Sequence, residues 1–140
     1  MIVYVMKLPL AKSIDSLRSP LPASVAAFHL AWGPDEALYV ASPTLSTYDS
    51  VYRIDRTGAV TPVCSCFGRP QGLAFDGEGT LHVVEALAGA SGVYRVAPDG
   101  STAAVLAAEA LVGLAFDPTG GLVVASNHTA YRVDTPGSQR

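Results

Sequence analysis

Short apolar segments alternate along most of the chain with turns that contain Gly, Pro and Asp. A Leu-Ala-aromatic segment, a turn, and a second Leu followed mostly by β-branched residues form a unit that occurs three times. The copies cover residues 28–41, 71–84 and 112–125, and their Leu-Ala pairs begin at Leu30, Leu73 and Leu114. A period of about 42 residues lies in the range of repeat architectures. The pattern therefore predicts that one structural unit is repeated.

Each unit contains the signals for four short antiparallel strands. The Leu-Ala segment and the second Leu segment are separated by turns such as residues 76–79, Asp-Gly-Glu-Gly. Gly supplies a positive φ there, and Asp hydrogen-bonds its own backbone, which favours a tight hairpin. Third strands containing Tyr-Arg follow at 51–55, 93–97 and 130–134, and fourth strands are predicted at 59–63 and 102–106. Only residues 103–111 also have helical apolar spacing, which leaves a helix there as the alternative.

Four antiparallel strands per repeat are typical of a β-propeller blade. We therefore expect an all-β fold of about three four-stranded blades, at about 28–66, 70–108 and 111–137, in one domain over residues 28–140. Residues 1–27 are predicted to be an N-terminal strand, Ile2–Met6, and a Pro-containing loop. That strand belongs either to a truncated blade or to the outer edge of another one. Because propellers close with four to eight blades, we expect either a longer polypeptide or a two-chain ring.

Composition and charge exclude several classes of function. Apolar residues make up 49% of the chain and charged residues 15%, with a net charge of −3. This chain lacks the basic surface that would hold a nucleic acid or an anionic membrane. Apolar runs are too short for a membrane helix. Residues 1–7 lack the features of a signal peptide, and no compartment is predicted. Cys64 and Cys66 supply only half of a zinc site and are expected to be ordinary thiols.

The second repeat resembles a known group of proteins. Residues 69–76 (Arg-Pro-Gln-Gly-Leu-Ala-Phe-Asp), 80–85 (Thr-Leu-His-Val-Val-Glu) and 92–96 (Gly-Val-Tyr-Arg-Val) are similar to repeats of gluconolactonase-like and luciferin-regenerating-enzyme-like six-bladed propellers. They also resemble NHL-type repeats. The resemblance covers roughly residues 28–134. It implies an incomplete or half six-bladed ring, which either a longer polypeptide or a homodimer would complete, and it is specific for the fold rather than for an activity.

The resemblance also implies one divalent cation, usually calcium or zinc, on the channel axis. In that family a Glu and several Asn and Asp residues hold it where the first strands enter the channel. Here Phe28, Gln71 and Val112 stand where an Asn is expected, and Phe and Val cannot coordinate a metal. The site is therefore expected to be absent, altered or located mainly in other blades. The candidate ligands within this chain are Glu85 and Gln71.

Ligand sites in propellers gather where first strands begin and where the loops after second strands emerge. Glu85 ends a second strand at a position where the other copies have Ser42 and Ser126. Two interpretations remain open: Glu85 is a metal ligand or general base whose pKa is raised by burial, or it accepts hydrogen bonds from loop amides. The further candidate binding residues are Gln71, His29, Tyr48, Asp49, Ser126, Asn127 and His128.

Three functions are compatible with this sequence. The leading hypothesis is a propeller fragment of the gluconolactonase-like group that serves as a scaffold for a small ligand or a partner, without catalysis by its own residues. The alternative is a metal-dependent hydrolase of lactones or esters, completed by missing blades or a second chain, in which the metal polarises the carbonyl and activates water. A third class is a propeller that binds proteins through its loops.

Overall fold

The fold of residues 29–43, 48–87 and 89–134 is described by a computed structural model. The predicted strand Ile2–Met6 and the loop after it lie outside these residues. All regular elements in the described ranges are strands, as predicted for an all-β fold. They are β1 (His29–Trp32), β2 (Leu38–Ala41), β3 (Asp49–Ile54), β4 (Val60–Phe67), β5 (Pro70–Phe75), β6 (Leu81–Glu85), β7 (Gly92–Val96), β8 (Thr102–Ala107), β9 (Leu111–Phe116), β10 (Leu122–Ser126) and β11 (Ala130–Arg132).

The strands form three antiparallel sheets in chain order, β1-β2-β3-β4, β5-β6-β7-β8 and β9-β10-β11, here called blades one, two and three. The register repeats from blade to blade. Leu73 lies opposite Val83 in blade two, and Leu114 lies opposite Val124 in blade three. The predicted repeats thus correspond to equivalent blades, and the prediction of β-propeller blades is confirmed.

The structure settles one alternative that the sequence left open and moves the bounds of two strands. Residues 103–111 belong to β8, the connection after it and the start of β9, so the helical alternative is wrong. β4 continues to Phe67 instead of ending at residue 63, and Asp49 opens β3 instead of lying in the preceding loop. Register shifts between Asp49 and Ser50 and between Val51 and Tyr52 let the longer β4 stay paired with β3.

Side-chain carboxylates close the hairpins between strands. In the β9–β10 turn, Asp117 Oδ1 accepts hydrogen bonds from the Thr119 amide at 2.8 Å, the Thr119 hydroxyl at 2.6 Å and the Gly121 amide at 2.9 Å. The Thr119 hydroxyl, helped by the Gly121 amide, lowers the pKa of Asp117 to about 2. Asp55 makes the same set of bonds to Thr57 and Ala59. The predicted Asp- and Gly-containing turns are therefore self-capping hairpins.

The core lies mainly between successive blades. The first buried cluster joins Ala41, Val51, Cys64 and Phe67 of blade one to Leu73, Leu81, Val83 and Val96 of blade two. The second joins Val84 and Val93 of blade two to Leu111, Leu122 and Val124 of blade three. Blade two, which lies between the other two blades, therefore buries both faces of its central strand β6, as stacked blades do. A third cluster, Leu38, Val40 and Ile54 with Val60, lies within blade one.

The first strands of successive blades run side by side, and glycine permits their approach. A Cβ added to Gly72 in β5 would lie 2.7 Å from the Cα of Gly113 in β9. No side chain fits at Gly72 without moving backbone. Gly72 and Gly113 occupy equivalent repeat positions, where blade one has His29. The described residues include no helix long and apolar enough to cross a membrane.

Candidate functional site

The candidate residues lie at one edge of the blades, here called the loop face. It contains the starts of β1, β5 and β9 and the ends of β2, β6 and β10, together with the loops attached there. In an antiparallel sheet the end of one strand lies beside the start of the next, so these positions share an edge. His29 and Gln71 lie near strand starts, and Glu85 and Ser126 end strands. The opposite edge, with the β1–β2, β3–β4 and equivalent hairpins, is here called the hairpin face.

Glu85 is a buried carboxylate that binds the link between blades one and two. It is the last residue of β6, where every residue is buried, and it is 6% exposed. Its Oε1 accepts a hydrogen bond from the Gly68 amide at 2.9 Å. Burial raises the pKa of Glu85, and the Gly68 amide partly opposes that rise. The sequence left two interpretations of Glu85 open. This hydrogen bond agrees with the one in which Glu85 accepts hydrogen bonds from loop amides.

Asp49 binds the same link from the other side of the blade boundary. It is 4% exposed at the start of β3 and accepts a hydrogen bond from the Arg69 amide at 3.3 Å. The backbone amides of Ala86 and Leu87 in turn donate to the carbonyls of Arg69 and Gly68. Two carboxylates from neighbouring blades thus bind two consecutive amides of one connection. We call Asp49, Glu85 and the link residues Gly68 and Arg69 the carboxylate clamp.

The link between blades two and three has the same backbone shape without the carboxylates. Arg69 has φ of +57° and Ala110, its equivalent, has φ of +58°. Ser126 replaces Glu85, and its hydroxyl accepts hydrogen bonds from the amides of His128 and Thr129 within its own turn. The clamp is therefore particular to the first link.

In blade one the position equivalent to Glu85 and Ser126 is occupied by Ser42, whose surroundings differ from those of both. Ser42, at the end of the equivalent strand in blade one, is 2% exposed. Its hydroxyl makes no hydrogen bond within the described structure. The three equivalent positions therefore carry one carboxylate held by a link, one hydroxyl held by its own turn and one hydroxyl that makes no hydrogen bond to the described residues.

The remaining candidates are spread over the loop face. Tyr48 is 75% exposed beside the clamp residue Asp49. Asn127 and His128 are exposed in the β10–β11 turn of blade three. His29 and Gln71 are half-buried in β1 and β5, the first and innermost strands of blades one and two. Gln71 lies in the irregular stretch of β5 between Pro70 and Leu73, next to the position paired with Glu85. The structure thus brings Glu85 and Gln71 onto neighbouring strands and keeps Tyr48 and His128 on different blades.

The donor set on the loop face is too small for a complete cation site. Residues 29–43, 48–87 and 89–134 contain no group of three or more His, Cys, Asp or Glu side chains placed to hold a metal ion. One oxygen of Glu85 already accepts from Gly68. Val112 at the Gln71-equivalent position has no donor atom. A cation bound through Glu85 and Gln71 would therefore need ligands from outside these residues.

A groove on the hairpin face was not predicted from the sequence. It has a volume of about 500 Å³ between blades one and two, and its lining includes Tyr39, Arg53, Phe75 and Glu78. Asp35 beside it accepts hydrogen bonds from Arg53 Nε at 2.7 Å and from the Tyr39 hydroxyl at 3.1 Å. Burial favours a raised Asp35 pKa, but these bonds, with the Ala37 amide, lower it overall. The sequence pattern that relates to this groove is the repeated Tyr-Arg pair, because Arg53 of that pair lines the groove.

The two thiols are unequal. Cys64 is buried in the first core cluster and Cys66 is exposed, and both are free. Burial, and secondarily the neighbouring Cys66, raise the pKa of the Cys64 thiol to about 12. Cys64 is therefore an unreactive core residue at neutral pH.

Comparison with solved structures identifies the class of fold. A protein assigned as a gluconolactonase aligns with a TM-score of 0.59 at 19% identity, over 75% of this chain and 43% of its own. A catalytically inactive variant of virginiamycin B lyase from Staphylococcus aureus with quinupristin gives 0.54 at 17%, over 81% and 42%. A streptogramin B lyase gives 0.61 at 20%, over 79% and 38%.

These neighbours are β-propellers, and the chain is made of β-propeller blades. The resemblance to gluconolactonase-like propellers is thus confirmed at the level of fold. No protein-family model matches the sequence, and no curated protein matches it either. The chain spans less than half of the length of these three solved structures.

Proposed function

We propose that this chain is a binding scaffold of the propeller type, with the loop face as its binding surface for a small ligand or a protein partner. One observation carries the proposal: the two buried carboxylates of the loop face, Asp49 and Glu85, bind the amides of the chain's own link. Carboxylates engaged in this way stabilise a connection. They make a rigid rim, and the side chains that remain for a ligand include the exposed Tyr48, Asn127 and His128 and the exposed side chain of Arg69.

The exposed side chains of the loop face fit that role. Tyr48 on blade one is a large amphipathic ring with 75% of its surface exposed. Asn127 and His128 on blade three add hydrogen-bond donors and acceptors. Aromatic surface combined with a few polar groups on rigid blades is the usual composition of a small-molecule site. One of the structural neighbours was solved with quinupristin, and another is assigned as a gluconolactonase. Quinupristin and gluconolactone are therefore the first probes.

Titration of the ¹⁵N-labelled chain with quinupristin and with gluconolactone tests this function. We expect amide shift changes at the loop face, centred on residues 48–50, 69–72 and 126–129. Tyr48→Ala and His128→Ala should weaken binding at least fivefold, whereas Arg56→Ala on the hairpin face should leave it unchanged. Changes confined to the hairpin face, or none with either probe at millimolar concentration, would contradict the small-ligand form of the proposal.

A metal-dependent lactone or ester hydrolase is the second candidate function. Two observations favour it: the fold is shared with a protein assigned as a gluconolactonase, and Glu85 combines burial with a raised pKa beside Gln71. A raised pKa suits a general base. In this candidate Glu85 and Gln71 contribute to a calcium or zinc site that other blades complete.

The hydrolase candidate is tested on the assembled protein. Gluconolactone hydrolysis is followed in calcium, zinc and manganese, and the metal content of the purified protein is measured. Turnover that falls at least tenfold in both Glu85→Gln and Gln71→Ala, but not in Arg56→Ala, would support it. Absence of turnover together with absence of bound metal would exclude it.

A further inference from the structure

The groove on the hairpin face is built by two complete blades. Blades one and two each have four strands, and the groove between them has a volume of about 500 Å³. Its lining comes from both blades, with Tyr39 and Thr61 from blade one and Phe75, Glu78 and Thr80 from blade two. The groove is therefore a feature of an internal blade boundary, and its volume lies in the range of small-molecule sites.

Two close contacts between the blades hold this groove in shape. At Gly79 in the β5–β6 turn, an added Cβ would lie 3.3 Å from Cγ of Pro34 in blade one. At Gly100 in the β7–β8 turn, an added Cβ would lie 2.8 Å from the carbonyl oxygen of Val63 in β4. Gly79 and Val63 both line the groove. Because packed turns form its walls, the groove is preformed.

Part of the lining is apolar and aromatic. Tyr39 and Phe75 are both half-buried, and their rings pack edge to face with centroids 4.8 Å apart. The buried side chains of Leu81 and Val96 add aliphatic surface. Such a lining suits the apolar body of a ligand, because contact with it removes apolar surface from water.

The two charged residues of the lining differ in their partners. Arg53 Nε donates to Asp35 Oδ2 at 2.7 Å, so this cation is already paired with an anion. Glu78 is exposed, and its backbone amide donates to Asp76 Oδ1 at 3.0 Å. Its carboxylate makes no hydrogen bond or ion pair to any residue that the structure describes. The groove therefore has one uncompensated charge, which is negative.

Comparison of the blades shows that Glu78 is the exception at its repeat position. The equivalent residue in blade one is Asp35, which binds Arg53. In blade three it is Thr119, whose hydroxyl donates to Asp117 Oδ1 at 2.6 Å. Both equivalents are thus used within their own blade, whereas the Glu78 carboxylate is available to a ligand.

We propose that this groove binds a small organic cation, an amine with an aromatic body, with its ammonium group at Glu78 and its ring against Tyr39 and Phe75. A carboxylate forms a charge-assisted hydrogen bond with an ammonium group, and aromatic ring faces attract the same group. An anion of the same shape would be repelled by Glu78. The site is on the face opposite to the loop face, so it does not rest on the proposed function.

Three probes that share an indole ring and differ in charge test this site. Tryptamine is a cation at neutral pH, tryptophol is uncharged, and indole-3-propionate is an anion. Titrated into the ¹⁵N-labelled chain, tryptamine should shift the amides of residues 61, 63, 78–81 and 96–97. Tryptophol should bind about fivefold more weakly, as expected for the loss of one partly exposed ion pair, and indole-3-propionate should bind more weakly still.

Variants separate the charge from the aromatic contact. Glu78→Gln should reduce the affinity for tryptamine to that for tryptophol and leave tryptophol binding unchanged. Glu109→Gln is the matched control, because Glu109 is an exposed carboxylate in the link between β8 and β9 on the loop face. Phe75→Leu should weaken the binding of tryptamine and tryptophol alike.

Circular dichroism confirms that each variant is folded before binding is compared. Equal affinities for the three probes would overturn the proposal, as would tryptamine binding that Glu78→Gln leaves unchanged. Shift changes confined to the loop face, or none at millimolar tryptamine, would also overturn it.

Discussion

His82 of blade two and Phe116 of blade three pack edge-on, with ring centroids 5.0 Å apart and ring planes inclined by 69°. The contact repeats the geometry of Tyr39 and Phe75, 4.8 Å and 74°, one blade earlier. It joins a second strand to the inner strand of the following blade. An imidazole thus takes the place of a phenol without a change in how the blades stack.

Removing the aromatic partner should therefore cost stability. We expect Phe116→Ala to lower the free energy of unfolding by about 2–3 kcal/mol, because it deletes a half-buried ring at a blade boundary. Tyr131→Ala in the same blade should change it by no more than about 0.5 kcal/mol, since Tyr131 is 50% exposed. Urea denaturation measures both, and equal losses would contradict the boundary contact.

Replacing His82 tests the equivalence of the two boundaries. His82→Tyr recreates the blade-one pair and should keep stability within about 1 kcal/mol of the wild type. His82→Ala removes the ring contact and should cost about 2 kcal/mol. A larger loss for Tyr than for Ala would show that the boundaries differ in shape.

Because the first strands of blades two and three lie close together, Gly72 and Gly113 should differ in their tolerance of an added side chain. Gly72→Ala should lower the unfolding free energy by about 2 kcal/mol or more, because its Cβ would lie 2.7 Å from the Gly113 backbone. Gly113→Ala should be neutral, since its Cβ would meet no atom within 4 Å. Urea denaturation of both variants measures the difference. Equal effects would refute the strand packing described.

The positive φ of Ala110 predicts a stabilising glycine. A left-handed conformation costs a non-glycine residue about 1–2 kcal/mol, so Ala110→Gly should raise the unfolding free energy by about 0.5–1 kcal/mol after the entropy cost of glycine. Ala97→Gly is the control, because Ala97 is not among the residues with positive φ. It should lower stability by about 0.5–1 kcal/mol. Thermal unfolding separates a gain from a loss.

Glu85 gives the chain a distinctive pH dependence. Because burial raises its folded-state pKa above the ordinary 4.5, the folded protein binds this proton more tightly than the unfolded chain does. The resulting stabilisation is present below about pH 4.5 and is lost as the pH rises through the folded-state pKa. Glu85→Gln keeps an acceptor for the Gly68 amide and removes the titration.

The stability of Glu85→Gln relative to the wild type should thus rise between pH 4 and pH 7. Glu85→Ala should be less stable than Glu85→Gln by about 2 kcal/mol, because the buried Gly68 amide loses its partner. If the stability advantage of Glu85→Gln over the wild type shrank with rising pH, the raised folded-state pKa of Glu85 would be contradicted. Urea titrations at three pH values are sufficient.

The repeated Leu-Ala segments and the Asp-containing turns predicted the blades because those signals are local. Strand alternation and self-capping turns need only neighbouring residues, as at Asp117 and Thr119. The extension of β4 to Phe67 depends on register shifts in its partner strand, which leave no mark in the sequence of β4.

The contacts of the site were less predictable, because they join residues that are distant in sequence. The order of strands placed Glu85, Gln71 and Ser126 near one edge. The contact between Glu85 and Gly68 joins the end of β6 to the link 17 positions earlier in the chain, and Arg69, the left-handed residue of that link, is not a glycine. Neither could be read from the residue types alone.

The central claim is that repeats of about 42 residues fold as equivalent blades whose inner strands lie side by side. A nuclear Overhauser spectrum of the chain tests it most directly at Gly72 and Gly113, which are far apart in sequence. The account predicts a strong cross-peak between their α protons, since a Cβ placed on Gly72 would be 2.7 Å from the Gly113 Cα. Absence of that cross-peak in a folded sample, with helical i to i+3 contacts around Leu73 and Leu114, would contradict it.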